Sequence, residues 1–299
     1  TDDSEYPELL KKIYDPPVVL YTKGYYSSEK LENCIGIVGT RKPTDYGKKI
    51  SEMFAEELSS IGISVISGFA RGIDTAAHKA VLSNKNSKAI TAAVFGCGVD
   101  VIYPPENKKL YDEMVQSGLL ISEYELSAVP DAMNFPKRNR IISGLSLGTI
   151  VIESDVDGGA LITARTALDQ SREVFAVPGY VTSRSSRGTN ALIKNSQAKL
   201  VENIDDVLEE IANKLQNLSI SYGTNGNGSS NVKLKNMPEL MGNEKLIYET
   251  FLKDTGPLHI DAISEISGLN ISDSLVTLLN LEFKSCVEQL PGKRFRIKN

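Results

Sequence analysis

The sequence predicts an α/β fold: an extended Rossmann-like, doubly wound, mostly parallel sheet, followed by a small C-terminal winged-helix unit. Three observations carry this. Between residues 31 and 216, short and nearly continuous apolar runs alternate with stretches of helical periodicity, the pattern of strands covered on both faces by crossover helices. The loops after those runs are rich in glycine and polar residues, as expected where parallel strands hand over to helices. A Gly/Asn/Ser-rich stretch at Tyr222–Asn231 then interrupts the pattern. It offers too little apolar surface to pack and predicts a flexible linker over 217–240.

Taken in order, residues 1–30 form a lead-in, where Pro16-Pro17 precedes an apolar Val18-Val19-Leu20-Tyr21 edge strand. Buried strands are expected at Ile35–Gly39, Ile63–Ser67, Ala89–Val94, Leu119–Ser122, Thr149–Ile152 and Glu173–Val177. Helical periodicity places helices at Lys48–Ile61, Ile73–Leu82, Lys108–Ser117, Ala160–Gln170 and Ile204–Leu215. The run Asn134–Ser146 reads as a basic turn leading into an apolar helix or strand. Beyond the linker, residues 241–299 read as helix (Glu244–Phe251), short apolar entry (Leu258–Ile260), helices (Asp261–Ser267 and Ser272–Glu282) and a hairpin (Val287–Ile297) turning at Pro291-Gly292. That order resembles a winged helix.

Composition narrows the function classes. A chain of 299 residues with 41% hydrophobic and 24% charged residues is ordinary for two globular domains. No apolar run approaches the ~20 residues of a membrane span, and the N-terminus lacks a signal-peptide pattern. The three cysteines, Cys34, Cys97 and Cys286, are far apart and accompanied by two histidines. A zinc site is therefore not expected, and reduced buried thiols suit a cytoplasmic protein. A net charge of -5 argues against nucleic-acid binding over the whole surface. A basic groove on an acidic body remains compatible with it, because screening confines each charge to ~10 Å.

The cations are placed for such a groove. Arg41 and Lys42 follow the first buried strand and Arg71 the second, while Lys137, Arg138 and Arg140 enter from the loop after the fourth. If the strands hold, all six point to one rim of the sheet. Singly, Arg41 and Arg71 read equally as local salt bridges; together they make an anion-binding rim the better reading. Phe135 is either a stacking ring for an unpaired base or a core residue seating its loop. The Gly158-Gly159 helix start offers free N–H groups to an anion. No Gly-x-Gly-x-x-Gly fingerprint or Walker loop is present, so no nicotinamide or ATP cofactor is expected. His78, four residues after Asp74 on one helix face, reads as structural, and Asp155 and Asp157 read as turn or capping residues.

Several of these loops together resemble one family. They are Val38-Gly39-Thr40-Arg41, Ser67-Gly68-Phe69-Ala70-Arg71-Gly72-Ile73-Asp74 with Thr75-Ala76-Ala77-His78, Gly96-Cys97-Gly98 with Tyr103-Pro104, and Asn134-Phe135-Pro136-x-Arg138-Asn139-Arg140 continuing to Ser146. Asp157-Gly158-Gly159-Ala160 running into Thr163, Val177-Pro178-Gly179 and Gly188-Thr189-Asn190 also match. The chain resembles the DNA-processing protein A (DprA/Smf) family from about Tyr6 to Ala212, with weaker similarity in the terminal unit. The resemblance implies a homodimer that binds single-stranded DNA, hands it to the RecA recombinase in natural transformation, and performs no catalytic turnover. Carried over by motif, the DNA site uses Arg41, Arg71, Gly72, Phe135, Lys137, Arg138, Asn139, Arg140, Gly158, Gly159 and Thr163. The helical N-terminal domain of some members is not seen here, and a trimmed N-terminus is the expectation.

Distant relatives of the family include nucleoside-monophosphate phosphoribohydrolases, which supply the competing enzyme reading; a nucleotide sensor is the third. Those enzymes carry Pro-Gly-Gly-x-Gly-Thr-x-x-Glu. Here Pro178-Gly179 is followed by an inserted stretch, and Leu192 stands three residues after Thr189 where the catalytic carboxylate would be. The terminal unit's candidate recognition helix, Ile271–Glu282, contains no Arg or Lys. It gains nothing from phosphates, so a protein-contact or dimer-regulating role is expected of that unit.

Overall fold

Strands β2 (Cys34–Val38), β3 (Ser64–Ser67), β4 (Thr91–Phe95), β5 (Leu119–Ser122) and β6 (Gly148–Val151) are buried at every position. Strands with no solvent face require helices on both sides, and the computed structural model has that architecture. It describes residues 5–215, 219–224, 230–235, 242–253, 257–283 and 286–297. Two compact units are resolved, built chiefly on residues 1–216 and 233–299.

In the first unit, β7 (Glu173–Ala176) and β8 (Lys199–Leu200) extend the sheet, and β1 (Tyr21–Gly24) closes its far edge. The order is β1-β5-β4-β3-β2-β6-β7-β8, parallel throughout except β1, which runs antiparallel to β5. From β2 the chain moves outward through β5 and returns to lay β6 on the other side of β2, paired Ile35 to Gly148 through Val38 to Val151. That reversal opens a crevice where the loops after β2 and β6 diverge.

Helices α1 (Glu8–Lys11), α2 (Asp45–Ser60), α3 (Ile73–Ser83), α4 (Lys108–Ser117), α5 (Asn134–Gly144), α6 (Gly159–Asp169), α7 (Arg187–Lys194) and α8 (Ile204–Ile211) cover the sheet. Alternation along β4 shows how the two faces are filled. Ala92 and Val94 pack in the core shared with Ile141 and Ile142 of α5 and with Leu161 and Ala164 of α6, whereas Ala93 and Phe95 pack with Leu110, Tyr111 and Met114 of α4.

Two local expectations are corrected. Val18 and Val19 lie outside the edge strand, 80% and 54% exposed, and the ladder begins at Tyr21. The stretch from Asn134 is not a turn: it is helical from its first residue, with Pro136 in the first turn, where a missing N–H costs nothing. Within the expected linker, β9 (Ser219–Thr224) and β10 (Ser230–Lys235) pair as a separate two-stranded sheet. The intervening 225–229, rich in Asn and Gly, and 236–241 lie outside the described residues.

The second unit has α9 (Asn243–Lys253), β11 (Leu258–His259), α10 (Ile260–Ser267), α11 (Ile271–Phe283), β12 (Val287–Leu290) and β13 (Arg294–Ile297), with strand order β11-β13-β12. Ile247, Phe251, Ile263, Leu278, Leu281, Val287 and Phe295 form its core. This is the winged-helix arrangement. Helix α11 exposes Ile271, Leu275, Val276 and Leu279.

His78 of α3 is wholly buried, with Nδ1 2.6 Å from Thr91 Oγ1. Thr91 donates its hydroxyl proton to Val65 O, so the ring donates Nδ1–H to Thr91. Burial, aided by the positive charge of Arg138, pushes its pKa down to about 3. A ring neutral when folded and free to charge when unfolded makes stability fall as pH drops through 6.5 toward 3. Asp74 opposes this: raised by burial to about 6, it contributes stability that is full below 3.8 and lost as pH rises through about 6. The His78 shift spans the wider window, so a His78→Gln variant is expected to flatten the acid limb. Urea titrations at pH 7 and pH 4 should show the gap in unfolding free energy shrinking by about 3 kcal/mol.

Candidate functional site

Where β2 and β6 part, the loops at their carboxyl ends border an open cleft of about 700 Å3. One lip is the loop after β2, with Thr40, Arg41 and Lys42. The opposite wall is the loop after β6, Ser154 and Asp155, leading to Gly158 and Gly159 at the head of α6. Phe135, Arg138 and Asn139 of α5 close the third side, and Thr163, one turn into α6, reaches the base. Arg41 and Lys42 are exposed. Helix α6 starts at Gly159 after Gly158 with no side-chain cap. The first N–H groups of a helix have no intrahelical partner, so this end is a donor cluster with a positive dipole facing an anion site.

The two lips are tied together. Glu153, 2% exposed at the end of β6, accepts from Thr44 N at 2.9 Å and Thr44 Oγ1 at 2.6 Å, and from Ser185 Oγ at 3.2 Å. Thr44 in turn caps α2 by accepting from Gly47 N. Asp155 holds the wall's far side: Arg184 and Arg187 bond its carboxylate, and with the Val156 N–H they draw its pKa down to about 2.

Arg138 makes the floor. Its side chain is 5% exposed, and Nη1 donates to Gly68 O at 2.7 Å and to Val94 O. Beside it, Asp74 accepts from the backbone N–H of Gly68 (3.1 Å) and Ala70 (3.2 Å). Burial raises Asp74 to about 6 against the pull of Arg138, and burial lowers Arg138 to about 10. Both are ionised at neutral pH. Gly68 leaves room for the pair, since a Cβ there would lie 2.7 Å from Arg138 Nη2 and 2.9 Å from Asp74 Oδ2.

The six-cation rim expected from the sequence is corrected. Arg41 and Lys42 stand at the lip and Arg138 lies beneath. Arg140 is turned away, bound by both oxygens of Glu123 at 2.7 and 2.8 Å and by Asp15. Lys137 is exposed but lines no part of the cleft. Arg71 lies on an adjoining small pit, paired at 2.5 Å with Glu106 in a solvent-exposed bridge worth little. The reason is the helix: successive residues of α5 step ~100° around its axis, so cations close in sequence face different ways. Gly72 lines no part of the cleft either. It sits at φ 82° where a Cβ would come within 2.4 Å of Thr40 O, and so permits the loop after β3 to pass against the loop carrying Arg41.

Phe135 stacks on Tyr103 at 5.4 Å between ring centroids and 29° between planes, with the guanidinium carbons of Arg41 and Arg138 each 5.9 Å from its ring. Sequence reasoning singled out Phe135 but not Tyr103, Thr40, Ser154 or the Glu153–Thr44 clamp as site residues. Tyr103-Pro104 was visible as a motif; its contact with Phe135 spans elements that no local pattern connects. Among the described residues no group of His, Cys, Asp and Glu could hold a metal ion, and the three cysteines are buried. None of the described helices is long and apolar enough to cross a membrane.

Two family models match the chain: DNA recombination-mediator protein A over residues 1–212, and the DprA winged helix domain over residues 250–293. Protein Smf of Synechocystis is 35% identical over 99% of this chain and 78% of its own length. The X-ray structure of DNA processing protein A from Streptococcus pneumoniae superposes with TM-score 0.65 at 42% identity, covering 70% of this chain and 71% of that one. DNA processing protein A from Helicobacter pylori, whose structure addresses its single-stranded DNA binding mode, gives TM-score 0.63 at 31% identity over 71% of this chain and 94% of its own.

Proposed function

We propose, from the premise that this chain belongs to the DNA recombination-mediator protein A family, that it binds single-stranded DNA in the β2–β6 cleft and delivers it to a RecA recombinase. On this reading it works in the cytoplasm as a homodimer and without catalytic turnover. One observation carries the site: exposed Arg41 and Lys42 face the uncapped head of α6 across an open cleft. Mobile cations and fixed backbone donors on opposite walls suit a chain of phosphates better than a single enclosed nucleotide. The binding reading is supported by the Helicobacter pylori relative, whose described property is single-stranded DNA binding. The non-enzyme reading is supported by Leu192, which packs in the core at 4% exposure where the phosphoribohydrolase pattern places a carboxylate.

Fluorescence anisotropy with oligo-dT, blunt duplex of equal length and a mononucleotide, each at several salt concentrations, tests the proposal. Oligo-dT should bind most tightly, its log affinity falling with log salt by ~0.7 per phosphate neutralised by a cationic side chain. Equal or tighter binding of duplex, or release of base from AMP, would overturn it. Reversing the lip charge in Arg41→Glu should cost about tenfold in affinity at low salt, through one lost and one repelled phosphate contact. Its melting temperature should stay near that of the parent chain, because the side chain is exposed. Arg71→Ala should cost less, since Glu106 already occupies that guanidinium.

A further inference from the structure

We infer that the solvent-facing side of Tyr103, at the rim of the cleft, forms a nucleobase subsite, with the Tyr103 ring as the platform on which an unstacked base of the bound strand lies. The inference rests on the single-strand reading above and adds to it a contact with the base as well as the phosphate. Three observations carry it. Tyr103 lines both the main cleft and the adjoining pit, and it is 40% exposed. Phe135, the aromatic that the sequence suggests for this task, is half-buried and more covered than Tyr103: Tyr103 stacks on it, Arg41 and Arg138 approach it, and the backbone at Gly96 leaves no room for a Cβ, which would lie 2.9 Å from its ring. The pit itself, about 30 Å3, is too small to take in a base.

The base is therefore left with the solvent-facing side of Tyr103. Phe135 acts from behind as a positioning residue, holding the tyrosine ring in place so that little side-chain freedom is lost when the base docks. Every base has a π-face, so a platform of this kind accepts any sequence. Arg41, which lies against Phe135, places a phosphate-binding cation one side chain away from the platform.

The experiment compares oligo-dT with a strand of equal length and charge whose sugars carry no bases. The parent chain should bind oligo-dT about tenfold more tightly than the base-free strand. Tyr103→Ala should bring that ratio close to one by losing affinity for oligo-dT alone, and Tyr103→Phe should keep it. Because the chain has no tryptophan, Tyr103→Trp introduces a single indole, whose emission should be quenched by oligo-dT and not by the base-free strand. An intact ratio in Tyr103→Ala, equal loss on both strands, or an indole unmoved at saturation would each overturn the subsite. Failure of the parent reading is seen separately, as absent strand binding in the parent chain or an Arg41→Glu variant that binds normally.

Discussion

Arg138→Ala is expected to lose about 3–5 kcal/mol of folding stability along with its strand affinity, so that urea unfolding and anisotropy both report the change. The guanidinium is pinned between Gly68 O and Val94 O with almost no exposure. Truncation strands two carbonyls and leaves Asp74 as a buried carboxylate without its nearby positive charge. The same reasoning predicts a partial rescue. Arg138→Ala combined with Asp74→Asn removes the uncompensated charge and should recover a measurable share of the lost stability, giving a coupling energy of about 1–3 kcal/mol in the double-mutant cycle. Additive losses would mean the two groups act independently. Arg41→Glu provides the contrast, with weaker binding and an unchanged melt, and separates the lip of the site from its floor.

Gly72→Ala should be similarly costly for a different reason. At φ 82° and ψ -121° an L-residue is strained by about 1–3 kcal/mol, and the added Cβ would lie 2.4 Å from Thr40 O and 2.8 Å from the carbonyl carbon of Arg41. Both contacts are backbone, which has no rotamer to turn aside. Relief must come from moving the loop that presents Arg41. We expect at least about 3 kcal/mol lower stability and more than tenfold weaker binding of oligo-dT. Parental unfolding and binding in the Gly72→Ala variant would show that the two loops are not locked together.

How much of this was legible in the sequence follows from the range of the interactions. The buried strands and most helices were readable because each is written locally: the strands as short, nearly continuous apolar runs, and α4 as a helical period bounded correctly at Lys108 and Ser117. The head of α6 was readable from Gly158-Gly159 for the same reason. Arg138 was recognised as important, but its role depends on Gly68 and Val94, 70 and 44 residues away in the chain. Arg140 carries the same charge two positions later, yet its partners are Glu123 and Asp15, and nothing local distinguishes the two. The clamp of Glu153 on Thr44 spans 109 residues. Reading Asn134–Ser146 as a turn made the cations look interchangeable. Once the stretch is a helix, geometry assigns one to the floor, one to an ion pair and one to solvent.

The uncapped head of α6 has a consequence for how affinity divides. Backbone amides carry no net charge, so a phosphate that docks on them is not neutralised and keeps its condensed cations. Their contribution is therefore absent from the slope of a salt titration and present in its intercept. Extrapolated to one molar salt, where the ion-release contribution vanishes, the remaining affinity measures the neutral part of the site: peptide N–H groups and aromatic surface, with the arginines removed from the sum.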